Sequence, residues 1–167
     1  MYEKIVMKKA KIKDLKKVYG IILECAKWLK SKGIKQWDPP YPRERFKQDI
    51  NDGKLYYFTS DNKIIGTATL STKKLFYYPK NFWKSSSKVW YLTKFAVPRK
   101  LENLKIGKKI LKKIDEEAKK RKIKKIRIDI PEYNKKLKLY YSLSGFVPVR
   151  KSIFNKYIFI LMEKIIK

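Results

Sequence analysis

Asn134-Lys135-Lys136-Leu137-Lys138-Leu139-Tyr140-Tyr141-Ser142-Leu143-Ser144-Gly145-Phe146 reads as a short helix stopped by a glycine, with an apolar strand following at once. Asn134 suits the helix start, where its side-chain oxygen can accept from a first-turn amide. Gly145 suits the end, because a left-handed residue closes a helix at least cost when it has no Cβ. Tyr141 stands four residues before the glycine, so one phenol falls in the last part of this helix.

Outward from that segment, the chain alternates between the two periodicities that separate strand from helix. Lys4–Ala10 reads as a first strand, and Asp14 as the cap of a helix over Leu15–Ser31. There Leu15, Val18, Ile22, Cys25, Ala26 and Leu29 recur at helical spacing, and Gly33 marks the end. Three prolines make Gln36–Pro42 a loop, and Pro42 opens a second helix running to about Asn51. Leu55–Thr59 and Lys63–Leu70 flank Ser60-Asp61-Asn62 as a hairpin. Residues 73–88 form a lysine- and aromatic-rich connection. Val89–Val97 is a strand closed by Pro98, and a helix from about Ile106 to Arg121 buries Ile106, Ile110, Leu111, Ile114 and Ala118. Ile126–Ile130 alternates as a strand, the Asn134 helix follows, and Phe154–Leu161 reads as the last strand. Without a repeat or a linker, residues 1–167 read as one α/β domain.

Composition removes several chemistries. The chain has no histidine and one cysteine, Cys25, so Ser-His-Asp and Cys-His catalysis, His-ligated zinc and an internal disulfide are excluded. No metal site is expected. The N-terminus lacks the apolar core of a signal peptide, and the longest apolar run, Tyr157–Met162, is far too short to span a bilayer. A soluble cytoplasmic protein with no membrane partner is the expectation. The formal charge of +29 raises nucleic acid as a partner class. Against it, only six of the 44 basic residues are arginine, the side chain best shaped for base and phosphate readout. The lysines also run through every segment, as a genome-wide bias toward lysine would leave them.

The Asn134–Phe146 segment resembles the signature N-x-x-A-x-x-L-Y-x-x-x-G-F of the GNAT superfamily of acyl-CoA-dependent N-acetyltransferases. Asn134, Tyr141, Gly145 and Phe146 match, while Leu137 replaces the small residue and Tyr140 the leucine. The resemblance implies the GNAT fold over essentially the whole chain. That fold is a mixed central sheet with antiparallel N-terminal strands, a splayed parallel pair in the middle and helices on both faces. It also implies acetyl-CoA as acetyl donor. The backbones of Phe95, Ala96 and Val97 would pair with the pantetheine arm. The turn holding Asn103, Lys105, Ile106, Gly107, Lys108 and Lys109 would bind the pyrophosphate at a helix N-terminus. Asn134 would add either a helix cap or an amide contact. In the family's R/Q-x-x-G-x-G/A loop only Gly107 matches: Glu102 stands for the arginine or glutamine and Lys105 for the first glycine.

Acetyl transfer to an amine needs a neutral amine and a protonated leaving thiolate. The resemblance gives Tyr141 the second task. A phenol (pKa about 10) is a weaker acid than a thiol (about 8.5), so full transfer is uphill by roughly 2 kcal/mol and Tyr141 acts first as a hydrogen-bond donor. A lysine-like acceptor is neutral only rarely at pH 7, and a carboxylate lowers that cost by taking the proton. Asp38, next to Trp37 in the proline-rich loop, is the first candidate. The alternative is a tryptophan sealing the loop beside a capping aspartate. Glu24 and Tyr91 are further acceptor-side candidates, and Asp129, near a strand end, is a second carboxylate that could equally serve as a salt-bridge partner for lysine. Gln36-Trp37-Asp38 and Leu92-Thr93-Lys94-Phe95-Ala96-Val97 resemble a branch of small bacterial GNAT enzymes, which acetylate varied small amines. Two alternatives stand beside the enzyme: a basic nucleic-acid or ribosome-associated binding protein, and a CoA-binding domain without catalysis. The first would need Phe76, Tyr77, Tyr78, Phe82 and Trp83 exposed on a basic face. The sequence is compatible with a homodimer.

Overall fold

Seven strands form one mixed sheet in the order β1-β2-β3-β4-β5-β7-β6, as seen in a computed structural model that describes Tyr2 and residues 4–167. Backbone contacts group into two compact units. The first holds residues 1–69 and 94–114, and the second holds 70–93 and 115–167.

In the first unit, β1 (Val6–Lys9) pairs antiparallel with β2 (Leu55–Ser60), and β2 with β3 (Lys63–Ser71). The β2–β3 turn holds Asp61 and Asn62, both at positive φ, as a tight hairpin requires. Helix α1 (Leu15–Ser31) buries Leu15, Val18, Ile21, Ile22, Cys25 and Ala26, a stripe three to four residues apart, and Gly33 follows it at φ +69°. Helix α2 (Arg43–Asn51) adds Phe46 and Ile50 to the same core. Gly66 of β3 is required by crowding. A Cβ there would meet Ile110 Cδ1 at 2.5 Å and the Ala96 carbonyl oxygen at 3.0 Å.

In the second unit, the start of β4 (Val89–Ala96) runs parallel to β5 (Lys125–Pro131). Their ladder spans three pairs, Val89–Tyr91 against Lys125–Arg127, and ends well short of either strand's C-terminus. Strand β7 (Tyr157–Ile165) pairs antiparallel with β5 over seven residues and with β6 (Val147–Phe154) on its other side. The strand expected directly after Gly145 is β6, and the last strand expected over Phe154–Leu161 is β7, which starts at Tyr157, Phe154 being the end of β6. Their turn is Asn155-Lys156, at φ +46° and +68°. A lysine in the second turn position hides the signal that Asn-Gly would give. Helix α4 (Lys135–Ser142) precedes β6. Helix α3 (Ile106–Lys120) runs through both units.

The 73–88 connection is irregular, as expected, but its aromatics are not a platform. Tyr78 and Trp83 are buried with Val89, Tyr91 and Leu161; Tyr77 and Phe82 are half-buried against them, and only Phe76 is exposed. No helix among the described residues is long and apolar enough to cross a membrane.

Candidate active site

In the first unit, the turn from β4 into α3 takes a left-handed course without glycine. Asn103 and Lys105 adopt φ +49° and +54°, the left-handed region that glycine usually fills. Helix α3 starts at Ile106, so its first amides have no intrahelical acceptor and carry the positive end of the helix dipole. Lys105, Lys108 and Lys109 are exposed around this start, Ile106 is buried and Gly107 half-buried. Glu102 does not confront a phosphate unopposed, because it forms an ion pair with Arg99. The Arg99 guanidinium stacks on Trp28, 3.6 Å from the ring centre. Its Nη2 faces Glu102 in that ion pair, while its Nε is buried without a partner. An orphaned donor is costly, and it is a spare valence for an anion. A left-handed turn, a helix start and one unused guanidinium donor are features that suit an anion. Sequence reading missed Arg99; the signal was an arginine three residues before the atypical Glu102.

Phe95 and Val97 are half-buried and Ala96 is buried. The Val97 carbonyl accepts from Cys25 Sγ at 3.3 Å, and burial pushes that thiol up to about 11, with the Glu24 charge adding to the shift.

In the second unit, α4 takes the shape its sequence announces. Asn134 Oδ1 accepts from the Leu137 amide at 3.0 Å, which is the cap. Gly145 lies at φ +92°, and Phe146 is buried edge-on to Tyr141, ring centres 5.4 Å apart. Tyr141 is 8% exposed, yet its hydroxyl has no hydrogen-bond partner among the described residues. Burial raises its pKa well above the ordinary value, with Tyr140 and Asp129 contributing, so the phenol stays protonated. The hydroxyl is not one of the fully enclosed atoms left unpaired, so its proton is available to a neighbouring acceptor.

Each acceptor-side candidate has its own local partners. Asp38 is exposed and reaches Lys30 Nζ at 3.4 Å; Trp37, at φ +60°, packs edge-on against Tyr41 and under the first core. Glu24 accepts from the Arg99 amide at 2.7 Å. Tyr91 is fully buried, its hydroxyl donating to the Lys84 carbonyl at 3.0 Å and accepting from Arg127 Nη1 at 2.9 Å. Asp129 does not pair with lysine. Its Oδ1 accepts from Tyr77 at 3.1 Å and Tyr78 at 2.5 Å.

The sequence profile of the acetyltransferase (GNAT) family matches residues 22–146. Among solved structures, a GNAT-family acetyltransferase from Streptococcus agalactiae superposes with TM-score 0.85 at 16% identity, covering 100% of this chain and 98% of that one. One from Listeria monocytogenes gives 0.79 at 20%, covering 96% and 94%. The PaiA N-acetyltransferase of Thermoplasma acidophilum, solved with coenzyme A, gives 0.70 at 20%, covering 97% and 99%. No curated protein matches the sequence.

Proposed function

Since the chain belongs to the GNAT acetyltransferase family, we propose that it moves an acetyl group from acetyl-CoA to the primary amine of a small molecule. The observation that carries this reading is Tyr141, a protonated phenol whose ring is buried and whose hydroxyl has no hydrogen-bond partner among the described residues. It fits a donor reserved for the departing thiolate.

Acetyl-CoA supplies an acetyl group activated as a thioester. On the protein side, Lys105, Lys108, Lys109 and the amides at the start of α3, together with Asn103, bind phosphate. Arg99 Nε supplies one unused donor to the same end. The backbones of Phe95, Ala96 and Val97 bind the amide-rich arm. Tyr141 holds a proton at its oxygen, and its raised pKa makes it a hydrogen-bond donor before an acid. A nucleic-acid platform finds no support, since of its five aromatics only Phe76 is exposed.

The test pairs calorimetry with turnover. Acetyl-CoA should bind saturably at physiological salt and resist added salt better than a single-stranded oligonucleotide does. Tyr141→Phe should bind acetyl-CoA as the wild type does and lose about a hundredfold in kcat. Oligonucleotide binding without acetyl-CoA binding would overturn the reading.

A further inference from the structure

Among the described residues, Asp129 is the one carboxylate whose side-chain partners are both phenols. Asp38, Glu44, Asp49, Asp52, Glu102, Asp115, Glu117, Glu132 and Glu163 each pair with a lysine or an arginine. Asp129 has no cation partner among the described residues, in a chain with 44 basic ones. Asp129 is half-buried, so part of its surface stays open to solvent. A buried anion without a counter-ion is costly, and the two phenol bonds offset only part of that cost. The arrangement therefore suits a site completed by a cation from outside.

The neighbours of Asp129 are aromatic. The Tyr77 ring lies 5.5 Å from Phe154, 6.1 Å from Phe159 and 5.0 Å from Tyr78, centre to centre. Tyr91 of β4 joins through Tyr78, and Tyr140 and Tyr141 of α4 complete the titratable groups nearby. On β5 itself Arg127 is held by Glu163 of β7, Nε to Oε2 2.7 Å. The register partner of Asp129 on β7 is the apolar Leu161.

We propose that Asp129 binds the ammonium of the acceptor and takes its proton, and that the acceptor is a monoamine with an aromatic body. The inference rests on the acetyltransferase reading. The step is R–NH3+ plus Asp129 carboxylate giving R–NH2 plus Asp129 carboxylic acid. A primary ammonium loses two protons on becoming an amide. Asp129 takes the first and returns it to solvent. The second leaves as the N–C bond forms and balances the proton that Tyr141 gives to the thiolate. Burial raises the Asp129 pKa against the lowering by its two phenol bonds, which makes it a better base than an exposed aspartate. Polyamines fit less well, because their further charges would lie among aromatics in a strongly basic protein.

The test uses 2-phenylethylamine as acceptor and 2-phenylethanol as its uncharged analogue, with the full chain and with Asp129→Asn. Asparagine keeps an oxygen for Tyr78 but cannot take the proton. The variant is expected to bind acetyl-CoA as the wild type does and to lose about a hundredfold in kcat/KM at pH 7. Its rate should then climb about tenfold per pH unit toward pH 10, as free amine accumulates. Competition by the amine but not the alcohol in the wild type supports the same conclusion and needs no variant to fold. A wild-type pH profile in the variant, equal competition by the alcohol, or preference for spermidine overturns the proposal. Failure of the wild type to bind acetyl-CoA would instead overturn the reading beneath it.

Discussion

Lys94 Nζ lies 2.6 Å from Asp49 Oδ2, and the two side chains are only 11% and 14% exposed. Thr69 Oγ1 donates to the same oxygen at 2.9 Å, and the rings of Tyr41 and Phe46 lie 5.2 and 5.6 Å from the ammonium. Lys94 itself sits at φ +50° inside β4, so tertiary contacts hold a backbone conformation that lysine does not favour. Removing one partner leaves the other charged and enclosed. Asp49→Ala is expected to lower unfolding stability by about 3 kcal/mol. Lys94→Met combined with Asp49→Leu should cost less than either single change, since no buried charge remains. Urea denaturation of the three variants checks this, and a double variant worse than both singles would contradict it.

Gly66 should be intolerant for a steric reason. Gly66→Ala puts a methyl 2.5 Å from Ile110 Cδ1 and 3.0 Å from the Ala96 carbonyl. A loss of about 1–3 kcal/mol is expected from overpacking. Ile110→Val removes the closer clash and leaves the carbonyl contact, so it should restore part of the loss but not all. Thermal melts of the single and double variants give the comparison.

The thiol of Cys25 carries a pH signature. Burial raises its pKa from 9.0 to about 11, with the Glu24 charge second. The native state therefore favours the neutral thiol. The stability this contributes is complete below pH 9 and is lost as pH rises through about 11. At pH 8 the native chain should react with a disulfide reagent about a hundredfold more slowly than the unfolded chain, through the smaller thiolate fraction alone. Equal rates would mean that Cys25 is not enclosed.

The legibility of the chain follows from where its signals are local. Asn134, Tyr141, Gly145 and Phe146 could be read because cap, phenol and stop lie on one short helix, and α4 bears the cap and the stop out. The succession of strands along the chain also follows from the alternating patterns, with the β6–β7 turn the exception, since Asn155-Lys156 adopts a glycine-like turn without glycine. Glu102 departs from the family's loop, and its partner Arg99 lies in a short 3-10 turn that sequence pattern does not reveal. Asp129 is harder still. Its meaning depends on Tyr77 and Tyr78, some fifty residues earlier in an irregular segment. Tertiary packing decides that pairing, and no periodicity reports it.

Lys105 separates the shape of the phosphate turn from its charge. At φ +54° the residue is strained for any side chain with a Cβ, by roughly 1 kcal/mol. Lys105→Gly removes the strain, against the extra backbone entropy that glycine gives the unfolded chain, so stability should stay within about 1 kcal/mol of wild type. Acetyl-CoA affinity should then fall only by the share of one exposed cation, a loss that shrinks as salt is raised. Lys105→Val loses the same charge and adds a β-branched side chain where the left-handed region is least tolerated. Its affinity should drop further, and added salt should not close the gap between the two variants. Calorimetry at two salt concentrations separates the effects. If valine and glycine bind alike, the left-handed turn is not what holds the phosphates, and the lysines around α3 act by charge alone.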